Sequence, residues 1–132
     1  MDKAVIVAGV GCRRGVPAPE IEAAIRAALA KAGIAANALG AIATAIAKQN
    51  ETGIEIAAAN FGVNIVLVSD AELKAAGARA ATKSERVRAL MGVPSVAEAA
   101  ALAAAGPSAR LIGPRLVTGS ATCALAASDA GS

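Results

Sequence analysis

The chain has 132 residues, which is the length of a single domain with an ordinary hydrophobic core. It contains no histidine, which excludes imidazole bases, serine–histidine triads and histidine-ligated metals, and its only aromatic residue is Phe61, which argues against nucleic-acid binding by base stacking. The net charge of +3, from 13 basic and 10 acidic residues, favours an acidic small molecule over a polyanion. We therefore expect one domain with no metal, no cofactor and no nucleic-acid partner.

The first predicted element is a strand that runs into a glycine-rich loop over residues 4–15. Its sequence is Ala-Val-Ile-Val-Ala-Gly-Val-Gly-Cys-Arg-Arg-Gly, and the β-branched residues at its start are typical of a strand. Glycines let the backbone turn sharply and approach a ligand closely. Loop amides, two arginines and the N-terminus of a following helix together suit a carboxylate or phosphate. The segment therefore predicts an anion-binding loop.

The next segment has the pattern of an amphipathic helix. Ile21, Ile25 and Leu29 recur every four residues, two prolines stand at the entrance, and Gly33 supplies a C-terminal stop. The pattern predicts a helix over residues 18–32. A strand, a loop and a helix in this order form half of a βαβ unit.

A second half-unit follows. Residues 40–47 predict a buried strand, although their alanines equally suit a helix. Residues 48–51 form a polar loop, a helical stripe comes next, and residues 63–68 predict a third strand. Ser69 or Asp70 can then cap a short helix.

Two capping boxes predict further helix starts. Thr82 and Glu85 have the required spacing and predict a short helix that ends at Met91. Ser95 and Glu98 repeat the spacing after a proline and before an alanine-rich run. On the residues alone, both members of this second box have a structural role as helix caps.

The end of the chain predicts a closing hairpin. Residues 109–118 and 120–126 are apolar and are joined near Gly119. The order is therefore βαβαβ, short helices and ββ, and right-handed crossovers make the first three strands parallel. The predicted fold class is α/β, a three-layer α/β/α sandwich with a mixed, mostly parallel sheet of about five strands.

Three polar loops follow the parallel strands. They are residues 11–15, residues 48–51, and Ser69 with Asp70. Because the carboxyl ends of parallel strands lie on one edge of a sheet, we expect these loops to converge there. That edge is the predicted binding site.

The glycine loop nearly spells a dinucleotide-binding fingerprint. Its last interval, from Gly11 to Gly15, carries three residues where the fingerprint has two, and the second predicted strand ends at Lys48 where a ribose-binding acid is expected. No Gly-Lys-Ser/Thr follows, so a nucleotide P-loop is not supported either. Both patterns disfavour a nucleotide cofactor.

Cys12 has two interpretations. At a helix N-terminus beside two arginines its thiol pKa would be lowered, which suits a nucleophile, and Glu51, Asp70 or Lys48 would have to serve as its acid–base partner. The alternative is a small residue that fills a tight turn. Cys123 lies on an apolar strand and is predicted to be a core residue.

Four segments, taken in order, resemble one known family. They are Gly-Val-Gly-Cys-Arg-Arg-Gly at 9–15, the 48–51 loop with a glycine shortly after it, Ser-Val-Ala-Glu at 95–98, and Thr-Cys-Ala-Leu-Ala at 122–126. They are similar to the CobE and CbiG C-terminal family of cobalamin biosynthesis proteins. The resemblance covers nearly the whole chain and implies that residues 1–132 are one such domain. The second segment departs from the family pattern, because the usual aspartate before Lys48 is absent.

The N-terminal apolar run is too short for a signal peptide and the longest uncharged run, residues 32–47, is too short for a membrane span, so we expect a cytoplasmic protein with no membrane association. The resemblance implies a protein of the corrin-ring pathway. The leading interpretation is a carrier or accessory protein that binds a precorrin or corrinoid, whose carboxylates surround an apolar ring. The candidate ligand-binding residues are Gly9, Gly11, Cys12, Arg13, Arg14, Gly15, Lys48, Glu51, Ser95 and Glu98.

Two alternatives to a carrier remain open. One is an enzyme that acts on the ring, such as a lactone hydrolase like CbiG, with Glu51 as general base and the loop amides as an oxyanion site. Cys12 and Glu51 are the weak catalytic candidates. The other is an accessory subunit of a pathway methyltransferase or another corrin-pathway enzyme.

Overall fold

The structure, a computed structural model, describes residues 5–12, 15–46, 51–83, 96–106 and 109–128. The elements in chain order are β1 (Ile6–Cys12), α1 (Ala18–Ala32), a short 3₁₀ turn (Ala36–Ala38), β2 (Leu39–Ala45), α2 (Thr52–Phe61), β3 (Asn64–Val68), α3 (Asp70–Lys83), α4 (Val96–Ala105), β4 (Arg110–Thr118) and β5 (Ala121–Ala127).

The described strands form one mixed sheet in the order β3-β2-β1-β5-β4. β1 pairs with β2 and β2 pairs with β3 in parallel, whereas β5 is antiparallel to both of its neighbours. The predicted α/β fold with a mixed sheet is confirmed, but the sheet is not mostly parallel as predicted, because the described pairings divide evenly between parallel and antiparallel. β1 therefore lies at the centre, between a strand close to it in sequence and one from the end of the chain.

The helix α1 has the predicted bounds. Pro17 precedes it in an extended conformation, and Gly33 ends it with a φ of 72°, in the left-handed region. Ile21, Ile25 and Leu29 are buried, as their four-residue spacing predicts. The helix α2 likewise ends at a glycine in the left-handed region, with a φ of 71°.

Helices cover both faces of the sheet. On one face, α1 and α2 bury a cluster that includes Val10, Ile42 and Leu125. On the other, α3 and α4 bury a second layer that includes Val7 and Val68. Because successive side chains of a strand point to opposite faces, Val7 and Val10 belong to different layers. The predicted three-layer arrangement is confirmed.

The second layer is packed through alanine and glycine. Gly9 of β1 is buried directly beneath α4, and a Cβ atom at this position would collide with the carbonyl oxygen of Ala97 and lie 2.8 Å from the amide nitrogen of Ala101. Small residues on both elements let the two backbones approach each other this closely. An alanine-rich chain can therefore build a dense core without large side chains.

Two segments differ from their predicted bounds by more than one residue. β2 spans Leu39–Ala45 rather than residues 40–47, and Ile46, after its end, is 44% exposed. α3 continues through Thr82 to Lys83, so Thr82 lies inside a helix and does not begin one. The rest of the helix predicted to reach Met91 lies outside the described residues.

The closing hairpin is confirmed. β4 and β5 are antiparallel and join at Gly119, which has a φ of 61°. The register of β4 shifts between Ile112 and Leu116, where the strand carries Gly-Pro-Arg. Proline has no N–H to donate to the ladder, so it is tolerated where an irregularity interrupts the hydrogen bonds between the strands.

Candidate functional site

The carboxyl end of β1 lies in the middle of the sheet, where its neighbour on one side, β2, is parallel and its neighbour on the other side, β5, is antiparallel. α1 leads to β2 on one side, whereas the later helices lead to β4 and β5 on the other. The register of β1 with β2 runs from Ile6 to Gly9, and beyond it the Thr44 hydroxyl donates a 2.8 Å hydrogen bond to the Val10 carbonyl. Ligands of open α/β sheets commonly bind outside the carboxyl ends of parallel strands, which here include the end of β1.

An open groove of about 600 Å³ lies beside this end of β1. It is formed where the N-terminal ends of α1 and α2 meet. Gly53 makes this meeting possible, because a Cβ atom there would collide with the carbonyl oxygen of Val16. The groove is lined by Gly15, Val16, Pro17, Ala18, Pro19, Glu51, Thr52, Gly53 and Ile56.

The first two predicted loops meet at one hydrogen bond in this groove. The Gly15 N–H donates to Oε1 of Glu51 at 2.8 Å. Gly15 has a φ of 79°, which favours glycine, and it is exposed. Glu51 precedes the first residue of α2, but its side chain makes no capping hydrogen bond to that helix. The structure therefore brings together two of the residues predicted for the site.

The other members of the glycine motif have different surroundings. Gly9 is buried under α4, and Gly11 is half-buried with its Cβ position 3.9 Å from Cβ of Ala97. Cys12 is half-buried, pairs with Ala121 of β5 and packs against the α1 layer. Among the described members of the motif, Gly15 lines the groove.

Glu98 is buried in an ion pair. It lies in the first turn of α4 with 4% of its surface exposed, and Nη1 of Arg115 donates to its Oε1 at 3.3 Å. Arg115 comes from the irregular part of β4 and was not predicted. The usable signal was the Gly-Pro-Arg interruption of an apolar strand, because a buried acid needs a cationic partner.

In the third predicted loop, Ser69 forms hydrogen bonds with the helix that follows it, α3. The Ser69 amide and hydroxyl donate to Oε1 of Glu72 at 3.1 and 3.0 Å, and the Glu72 amide donates to the Ser69 hydroxyl oxygen at 3.2 Å. These bonds hold the pKa of Glu72 below its ordinary value, and the bond from the Ser69 backbone amide has the larger effect. Ser69 is thus confirmed as a helix cap.

The chain is similar in sequence to known proteins. The family model described as "Cobalamin synthesis G C-terminus" matches residues 6–126. The chain belongs to the CbiG C-terminal family. Protein CobE of Sinorhizobium sp. is similar to this member, with 42% identity over 121 residues that cover 92% of the chain and 79% of CobE. This membership makes the chain a protein of the cobalamin biosynthesis pathway.

Solved structures of CbiG- and CobE-type proteins have the same fold. The cobalamin biosynthesis protein ChiG of Agrobacterium tumefaciens is 42% identical, with a TM-score of 0.81, and the match covers 95% of this chain and 99% of that one. A CobE crystal structure is 31% identical, with a TM-score of 0.82 and coverage of 98% and 94%. A homologue of cobalamin biosynthesis protein G from Sulfolobus solfataricus is 25% identical, with a TM-score of 0.71, and the match covers 96% of this chain and 37% of that one.

The cationic candidates of this CbiG C-terminal domain, Arg13, Arg14 and Lys48, lie outside the described residues, as does Ser95. Within the described ranges, no group of acidic and cysteine side chains could hold a metal ion. No helix in the same ranges is long and apolar enough to cross a membrane.

The two cysteines of the CbiG C-terminal domain differ in burial. Cys123 is fully buried in β5, as predicted, and burial raises the pKa of its thiol to about 12. Cys12 is half-buried at the end of β1. Cys123 is therefore a core residue.

Sequence reasoning missed the apolar walls of the groove. Pro17 and Pro19 were interpreted as a helix entrance, and Ile56 was not singled out, yet all three line the groove. Ile56 is 46% exposed, although it lies on a helix whose other isoleucine, Ile54, is buried. An isoleucine just off the buried stripe of α2 was the available signal.

Proposed function

We propose that this domain binds a carboxylate-bearing tetrapyrrole of the precorrin or corrinoid type in the groove between α1 and α2. It would act as a carrier or accessory protein that passes the intermediate to another corrin-pathway enzyme in the cytoplasm. The observation that carries the proposal is the open groove of about 600 Å³ that joins the Gly15 amide to apolar walls. Family membership supplies the class of ligand.

The chemistry of the groove supports such a ligand. Its volume is within the range of small-molecule sites. The walls offer Pro17, Pro19 and Ile56 to an apolar ring, and the N-terminal ends of two helices offer partial positive charge to peripheral carboxylates. The arrangement therefore suits a ligand with an apolar centre and an anionic rim.

The predicted cations complete the proposal. Arg13 and Arg14 directly precede Gly15 in the sequence, and Lys48 precedes Glu51 by three residues. Guanidinium groups form strong, often bidentate hydrogen bonds with carboxylates. We assign Arg13 and Arg14 the role of binding the carboxylates of the ligand.

An absorbance titration tests the proposal, with hydrogenobyrinic acid as the probe and with gel filtration and mass analysis of the pigment. We expect co-elution of unaltered pigment with the protein. The Arg13→Ala/Arg14→Ala double variant should bind at least about tenfold more weakly, because each charged hydrogen bond contributes about 1.5 kcal/mol or more.

The matched control is Lys31→Ala/Lys74→Ala, which removes the same charge from exposed positions in the last turn of α1 and on α3. An equal loss of affinity in the control would attribute the effect to net charge. A pigment of changed mass would favour the enzyme alternative. If the wild-type protein does not bind the pigment, a role as an accessory subunit of another corrin-pathway enzyme would be favoured.

A further inference from the structure

Backbone amides at this edge are paired with the chain's own carboxylates in two places. The Gly15 N–H donates to Glu51, and the Ser120 N–H donates to Glu20. Both amides belong to turns, and both carboxylates come from the N-terminal ends of helices. The edge therefore binds carboxylates already, using groups that the chain itself supplies.

The two contacts differ in their surroundings. Glu20 is enclosed by the hairpin turn, since a Cβ atom on Gly119 would collide with the Glu20 carboxylate. Glu51 borders the open groove, and its hydrogen bond to Gly15 is exposed. An exposed hydrogen bond exchanges readily with water and contributes little net free energy, whereas a part-buried one is costly to break.

The Glu51 carboxylate is also not needed by its own helix. Its backbone is extended and immediately precedes α2, where a side-chain oxygen commonly caps the first amides. Here the side chain makes no such bond to α2 and reaches across to the other loop instead. Removal of this carboxylate therefore leaves the capping of α2 unchanged.

We propose that Glu51 is an internal competitor that occupies the Gly15 amide until a carboxylate of the ligand displaces it. The inference rests on the proposed function, because it concerns the same groove. Glu51 thereby sets the selectivity of the groove, since a ligand group must bind the Gly15 amide well enough to overcome both this contact and the repulsion between two carboxylates. Glu51 then weakens the binding of anions, which is the opposite of a ligand-binding or general-base role.

An NMR titration of the ¹⁵N-labelled full chain with sodium acetate tests this inference directly. The measured quantity is the shift of the Gly15 amide, with sodium chloride at equal ionic strength as the baseline. In Glu51→Ala the apparent affinity for acetate should rise about three- to tenfold, because one competing hydrogen bond and one like charge are removed. In Glu51→Gln, which keeps the acceptor oxygen but loses the charge, the rise should be smaller.

The matched control is Glu55→Ala, which removes the same charge from an exposed position in the first turn of α2. It should respond to acetate as the wild-type protein does. An equal or weaker response of Gly15 in both Glu51 variants would overturn the inference, and so would an equal rise in Glu55→Ala.

The same variants titrated with hydrogenobyrinic acid separate this inference from the proposed function. Tighter binding by Glu51→Ala supports both. If the wild-type protein binds the pigment and Glu51→Ala binds it more weakly, the inference fails and the proposed function stands. If no form binds the pigment, the proposed function fails, and the acetate titration still decides the role of Glu51.

Discussion

The glycines at the two ends of the motif differ in packing, since one is buried against a helix and the other is exposed. At what we call the closed face, Gly9 lies against Ala97 and Ala101 of α4 with no space for a Cβ atom. At what we call the open groove, no atom of the described residues lies within 4 Å of the Cβ position of Gly15, and its amide is exposed beside Glu51. Six positions along one chain therefore separate a packing glycine from a glycine whose backbone is available.

This difference teaches how to interpret a glycine-rich strand end. A glycine that admits a helix backbone contributes to stability, and its substitution acts on the whole fold. A glycine with a positive φ in an exposed loop contributes a backbone geometry, and its neighbours act on ligands. Both positions are glycines of one short motif, so the packing partner is what distinguishes their roles.

The largest expected effect is at the closed face. Gly9→Ala should reduce the free energy of unfolding by about 3 kcal/mol, since overpacking against helix backbone forces the two elements apart. Urea denaturation followed by circular dichroism measures this. Gly77→Ala is the control, because in the part of the chain that the structure describes no atom lies within 4 Å of its Cβ position in α3, and it should be neutral or slightly stabilising. A Gly9→Ala protein as stable as the wild type would show that the closed face has room.

A smaller effect is expected where α4 contacts β4. Arg115→Met leaves the Glu98 carboxylate, whose side chain is 5% exposed, without this cation, and should cost about 2 kcal/mol, less than a fully buried pair because the Arg115 side chain is 28% exposed. The measurement is again urea denaturation, with Arg110→Met on the exposed part of the same strand as the control. The double variant Glu98→Met/Arg115→Met should recover much of the loss, because no charge is then left buried. Equal stability of the single and double variants would contradict this account.

The smallest effect on stability is expected in the open groove. Ile56→Ala should change the free energy of unfolding by no more than about 0.5 kcal/mol, because the side chain is 46% exposed. It should nevertheless weaken binding of hydrogenobyrinic acid about three- to fivefold, since apolar contact area with the ring is lost. Val66→Ala, on the exposed part of β3, is the control for both measurements. If Ile56→Ala destabilises the protein and leaves binding unchanged, the groove and the closed face do not differ in role.

Much of the fold could be predicted because its boundaries carry local signals. Pro17, whose ring fixes φ, marks the start of α1, and Gly33, which adopts a positive φ, marks its end. Both residue types can be recognised in the sequence. The prediction that a helix begins at Thr82 was wrong, because a Thr-x-x-Glu spacing can also occur inside a helix and the alanine-rich α3 continues through Thr82. Local patterns therefore predict where a helix can begin, and tertiary packing decides whether it does.

The candidate site was less predictable because its contacts are between segments distant in sequence. Gly15 and Glu51 were each predicted, but their mutual hydrogen bond depends on how closely α1 and α2 approach at Gly53. The Glu98–Arg115 pair depends on an irregularity in an edge strand, which no periodicity reveals. Sequence patterns gave the chemical types of these groups, and the topology gave their partners.

The central position of β1 has a consequence for how the chain folds. The first described strand pairs with the last, and the Val5 amide donates to the hydroxyl of Ser128 across 123 positions of sequence. During synthesis, β1 emerges first and must keep one hydrogen-bonding edge unpaired until β5 has left the ribosome. Such long-range pairing raises the contact order and slows folding. A ribosome-bound chain that lacks β5 therefore exposes an unpaired strand edge, with which the strands of other chains can pair.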